Sequence, residues 1–244
     1  MQKVKLKVLE FEWEVVFYAR EQMQAPCTAG DFHRRHDVHC GVLCRPGVCV
    51  SQGSVSITVR DGHHYVTQTD SEGHYVKDGD TEYNEHLDDD ITLVTKDKDG
   101  NVKSTSNTVT IDSGEKESNV AKVTLDNVNL SGNSSSGDAP LTVKGEGSTE
   151  LELNGSNILG GSRYDKTAGL QKEGSGSLTI KDDVNDDGST KTGKETDTTG
   201  SLKAEGGFVG GAGIGGANGE SVSNITITGG TIDVRGGSGG GSGP

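Results

Sequence analysis

An aliphatic–polar–aliphatic triplet returns through the second half of this chain and limits what the chain can fold into. Val123 opens VTLDNVNLSGN, Leu151 opens LELNGSNILGG, Leu178 opens LTIKDD and Ile225 opens ITITGGTIDVRGG. The starts lie 28, 27 and 47 residues apart, and the last interval falls to 30 once the charged stretch Asp183–Thr199 is set aside. A second marker precedes three of the copies: Ala139-Pro-Leu141, Ala168-Gly-Leu170 and Ala212-Gly-Ile214. A unit this short cannot bury a core alone, but stacked units bury a continuous column. Each unit offers three short apolar elements separated by Gly, Asn and Ser, which describes one turn of an all-β solenoid.

Alternation assigns the faces, since residues two apart in a strand point the same way. Val123/Leu125, Leu151/Leu153, Leu178/Ile180 and Ile225/Ile227 are expected to point inward. Thr124, Glu152, Thr179 and Thr226 then form an outward ladder. Leu130, Ile158, Leu202 and Ile232 align as a second inward stack, and Leu141, Leu170 and Ile214 as a third. A narrow aliphatic column explains how a chain with 29% hydrophobic residues, 4% aromatics and 38 glycines can fold at all. The competing readings are an antiparallel sandwich and a disordered Gly/Ser-rich chain.

Composition divides the chain near residue 50. Residues 1–50 hold all four Cys, the one Trp and three Gly, and carry a charge of +1; residues 51–244 carry −15. The expected organisation is an N-terminal appendage over 1–50, irregular leading strands and a polar excursion over 51–118, and repeats over 119–241 with an insertion at 183–199. Within the leading part, Val55–Val59, Ile91–Val94 and Val109–Ile111 are strand candidates, and Asp61–Asp90 reads as the excursion. Cys27, Cys40, Cys44 and Cys49, with His33, His36 and His39, are ligand types that zinc accepts, but the set lacks a C-x2-C knuckle. Disulfides, or a segment without a fixed fold, remain alternatives there. Lys3–Phe17 alternates apolar and charged residues and does not read as a signal peptide. With no cap after Ile232-Asp-Val234, the sequence reads as part of a longer chain.

A formal net charge of −14 disfavours nucleic acid, whose phosphates must be neutralised by Lys and Arg. No run approaches the ~20 apolar residues of a membrane-spanning helix. Asp183-Val-Asn185-Asp-Asp187-Gly188 matches the first half of an EF-hand-type loop, so Asp183, Asn185 and Asp187 are candidate Ca²⁺ ligands. Position 12 of that loop falls on Lys194, and a solvated acidic insertion is the plainer alternative. Asp97-Lys-Asp99-Gly reads as a hairpin turn. Arg163 and Tyr164, in a turn between the second and third copies, are the candidate glycan-contacting residues, since sugars stack on exposed aromatic faces. Thr226 and Thr228 form one Thr-x-Thr pair, a pattern that invites ice binding, but one pair without repetition from coil to coil is too little for it. Catalysis finds no nucleophile elbow, and the Arg residues of the repeats, Arg163 and Arg235, meet no acidic cluster in register.

The strings VTLDNVNL, GGAGIGG (Gly210–Gly216) and SNITITGGTIDVRGG (Ser223–Gly237) resemble the Gly-rich parallel β-helix repeats of large bacterial surface proteins. Many of these are labelled carbohydrate-binding domain proteins. The resemblance spans roughly Val55–Gly241. It implies a right-handed parallel β-helix with three short strands per coil, export to the cell surface, and binding to glycans or to host and matrix surfaces. A noncatalytic carbohydrate-binding or adhesion module is therefore the expected function. A polysaccharide lyase or hydrolase fragment and a purely structural stalk are the alternatives.

Overall fold

The computed structural model describes residues 36–39, 43–45, 48–50, 53–70, 85–87, 91–95, 101–132, 137–162, 166–182 and 200–239. All of them fall in one compact unit, Arg35–Pro244, and none lies in a helix. Three short strands come first: β1 (His36–His39), β2 (Leu43–Arg45) and β3 (Val48–Val50). Next come β4 (Gly53–Arg60), β5 (His63–Asp70), β6 (Glu85–Leu87), β7 (Ile91–Val94) and β8 (Thr108–Asp112).

The repeats follow in threes. The first pass is β9 (Val120–Asp126), β10 (Asn129–Ser131) and β11 (Leu141–Lys144); the second is β12 (Ser148–Asn154), β13 (Ser156–Gly160) and β14 (Leu170–Lys172). The third is β15 (Leu178–Lys181), β16 (Ser201–Glu205) and β17 (Ile214–Gly215), and β18 (Ile225–Ile227) and β19 (Thr231–Arg235) begin a fourth.

Each pass deposits one strand in each of three sheets, in rotation. The first sheet runs β1-β7-β9-β12-β15-β18, the second β10-β13-β16-β19, and the third β17-β14-β11-β8-β4-β5-β6. Pairing is parallel throughout, apart from β2–β3, β4–β5 and β5–β6. An earlier, less regular pass precedes β9, because β7 and β8 flank a single parallel bridge from Thr105 to Leu130.

Side chains of all three sheets meet in one apolar core. The third-sheet stack forms as expected, with Val55, Val109, Leu141, Leu170 and Ile214 in consecutive register. Two other expected stacks need correction. In the first sheet Leu151 sits beside Ile180, and Leu178 sits beside Thr149, so β15 is shifted by two residues from the expected alignment. The outward ladders become Thr124–Glu152–Lys181 and Lys122–Glu150–Thr179–Thr226.

The cause of the shift is the corner before the strand. Gly176 lies against the Gly147 carbonyl, where a Cβ could not fit, and Ser177 Oγ bonds Ser148 Oγ at 3.0 Å. The corner registers Gly on Gly and Ser on Ser, and the aliphatics follow.

In the second sheet Leu159, not Ile158, pairs with Leu130, and Ile158 turns outward. Asn157 takes the inward position in line with Leu202. Its Oδ1 accepts the Val128 N–H at 2.9 Å, and its Nδ2 donates to the Asn154 and Ser201 carbonyls, both at 3.1 Å. A buried polar side chain survives where its hydrogen bonds are made.

The expected excursion over Asp61–Asp90 is also corrected in part. Asp61 (φ 51°) and Gly62 (φ 82°) form a tight reversal with both central residues left-handed, the geometry that Asp-Gly favours in two-residue hairpins. It returns β5 along β4 within the third sheet, and β6 adds beside it. His64 on the inner side of β5 accepts the Lys122 N–H at 3.1 Å, tying the hairpin to the first sheet. The expected hairpin at Asp97–Gly100 and the Cys27, Cys40, His33 group lie outside the described residues. Cys44 and Cys49 stand opposite each other in the β2–β3 register.

Lys172 is a further departure from apolar filling that the repeat pattern does not anticipate. It occupies the position taken by Ile57, Ile111 and Val143 in the neighbouring strands of the third sheet. The side chain is 2% exposed, and its Nζ donates to the Gly174 carbonyl at 2.9 Å. Burial lowers its pKa from the ordinary lysine value.

Candidate functional site

The outward face of the third sheet carries a regular polar surface. Alternation in β4, β8 and β11 turns Val55, Ile57, Val109, Ile111, Leu141 and Val143 inward, so their Ser and Thr neighbours must face out. Parallel register then aligns these hydroxyls across strands. Thr67, Ser56, Thr110 and Thr142 form one row over four adjacent strands; Gln171 holds the next register position on β14 but is buried. Thr69, Ser54 and Thr108 form a second row two residues away along the strands. Ser54 Oγ and Thr69 Oγ1 share a hydrogen bond of 2.6 Å. Thr is stiff at χ1, so a row of such side chains on paired strands presents its hydroxyls in fixed directions.

A third row, on the other side of the first, is Tyr65, Thr58, Asp112 and Lys144. Its charges are largely compensated. Lys144 Nζ lies 3.5 Å from Asp112, and the Asp112 carboxylate also accepts the Gly114 N–H at 2.8 Å. At the hairpin end, Lys116 bonds Asp61 at 2.6 Å. That hydrogen bond and its charge lower the Asp61 pKa and raise that of Lys116. The Arg60 guanidinium stands 5.4 Å from the centre of the Tyr65 ring, within cation–π reach. The face thus combines uncharged hydroxyl rows with one aromatic corner.

The outward face of the first sheet differs in kind. A shallow depression is lined by Lys122, Val123, Thr124, Glu150, Glu152 and Lys181. Lys181 crosses diagonally to Glu150 at 2.7 Å. This face offers paired charges where the third sheet offers hydroxyls.

Arg163 and Tyr164, and Asp183, Asn185 and Asp187, lie outside the described residues. Among the described residues no three His, Cys, Asp or Glu side chains gather as a metal site, and no helix is long and apolar enough to cross a membrane. The hydroxyl rows escaped the sequence reading, which looked for Thr-x-Thr within the late repeats. Their signal was the consistent choice of Ser or Thr at the polar positions of SVSIT, TVT and LTV. Only the pairing of those strands makes it a surface.

No protein-family model matches the chain, and comparison with curated proteins and with solved structures returns no match.

Proposed function

We propose that the chain is a noncatalytic extracellular module, built as a right-handed parallel β-helix with three short strands per coil, that binds carbohydrate through the outer face of its third sheet. The observation that carries this reading is the pair of aligned hydroxyl rows bordered by Tyr65. Hydroxyls both donate and accept, which suits the mixed donor–acceptor edge of a sugar. An aromatic corner adds an apolar surface for a pyranose face. Rotation of the chain through three sheets in which strands of successive passes pair in parallel supports the helical architecture, and the Gly-rich strings that resemble bacterial surface repeats support the extracellular setting. Calcium enters the proposal only through Asp183, Asn185 and Asp187, whose residue types suit a hard cation.

The test is a glycan array probed with the purified chain, with and without Ca²⁺. Binding to a definable group of plant, host or microbial glycans is expected, and Thr110→Val should reduce it without lowering the thermal midpoint. Failure to retain any glycan contradicts the proposal and leaves a structural stalk as the better reading.

A further inference from the structure

We infer that the ligand of the third-sheet face is a linear, uncharged polysaccharide lying across the strands, along the hydroxyl rows rather than along the strand direction. The inference rests on the carbohydrate reading and specifies the ligand of the same site. The rows are straight because parallel register places residue on residue from β4 through β8 to β11. Their step is the strand separation, ~4.8 Å, close to the rise of one pyranose in an extended glycan chain. A chain laid along a row therefore meets one hydroxyl per sugar.

The second row lies two residues away along the strands, ~6.7 Å, within the span of a single pyranose ring. One sugar can thus touch both rows. Along the strand direction, by contrast, β4 alone keeps an aliphatic hydroxyl at the third position, Thr58, while β5, β8 and β11 carry Tyr65, Asp112 and Lys144 there.

The charge balance selects against ionic sugars. Asp112 is neighboured by Lys144 and Asp61 by Lys116, so the nearby carboxylates and ammonium groups already face each other. The net charge of −14 repels a polyanion at long range. Arg60, stacked at the hairpin end, marks where the platform stops. Four strands contribute to the longer row, so four consecutive sugars fill it.

Isothermal titration with cello-, manno- and xylo-oligosaccharides of one to six sugars tests this, with oligogalacturonates as the charged comparison. At least one neutral series should gain affinity with each added sugar up to about four, by roughly tenfold or more in total, and then level off. Thr110→Val, at the centre of the long row, should lower tetrasaccharide affinity about tenfold while leaving the melting temperature nearly unchanged. Affinity independent of chain length, or preference for oligogalacturonates, overturns the inference while leaving carbohydrate binding intact. Absence of any glycan binding removes the carbohydrate reading and the inference with it.

Discussion

The second pass and the fourth carry the same kind of strand in the same register, yet they present opposite surfaces. Leu151 and Ile180 are both fully enclosed, whereas Ile227, next in that column, is 48% exposed. In the second sheet Ala204 is buried and Val234, beside it in register, is 43% exposed. Sequence alternation is equally good in both regions. What differs is the neighbour: β12 is paired on both edges, while β18 and β19 are each the last strand of their sheet. Burial here belongs to the interface between passes rather than to a pass, and stability follows nearest-neighbour terms. The same comparison explains why Ile225 packs only in part against the core and Ile227, expected to point into it, is left exposed.

The largest effect should come from placing a charge in the middle of the column. Leu151→Asp buries an unpaired carboxylate and should cost at least about 3 kcal/mol, a large share of an ordinary domain's stability, lowering the melting temperature by roughly 6 °C or more. The matching change at the open end, Ile227→Asp, should shift the melting temperature by little, about 0.5 kcal/mol or less in stability. Similar losses at the two positions would erase the distinction between enclosed and end passes.

Asn157→Ala should be the next largest. It strands the buried Val128 N–H and two carbonyls that now have partners, at about 1–3 kcal/mol by chemical denaturation. An unchanged midpoint would mean that the second-sheet register is wrong.

Lys172→Met should act in the opposite direction. Replacing a buried ammonium by an apolar chain of similar length is expected to stabilise by about 1 kcal/mol near neutral pH. The folded-state pKa of Lys172 is lowered, so between that value and the ordinary lysine value the unfolded state holds more protons than the folded one. Stability of the native sequence should therefore rise as pH climbs through that window, and the Met variant should lack the rise. Parallel pH profiles for the two proteins would show that Lys172 is not enclosed as described.

Much of the architecture is readable from the chain because alternation and repeat length are local properties. The three apolar elements per unit, the strands at Val55, Ile91 and Val109, and the Leu141–Leu170–Ile214 stack all follow from them. Register is not local. At Leu178 the apolar pattern fits two alignments that differ by two residues, and the Gly-Ser corner decides between them. At Ile158-Leu159 two adjacent aliphatics offer both phases, and the choice falls to Asn157, whose value as an inward residue depends on backbone groups of other strands. The reversal at Asp61-Gly62 was present as a dipeptide signal but was obscured by the polar, His-containing sequence that follows. The hydroxyl face was hidden for a further reason: its residues come from segments as far apart as Ser54 and Thr142, and no spacing within one segment reveals a row that runs across strands.

Hydrogen–deuterium exchange of the native protein, resolved strand by strand, tests the stacked-pass account most directly, since amide protection reports how strongly each strand is held by its neighbours. The account predicts the slowest exchange in Ser148–Asn154 and Leu178–Lys181, which are paired on both sides, and much faster exchange in Ile225–Ile227 and Thr231–Arg235. Equal protection of Ser148–Asn154 and Ile225–Ile227, or rapid exchange in both, would contradict it.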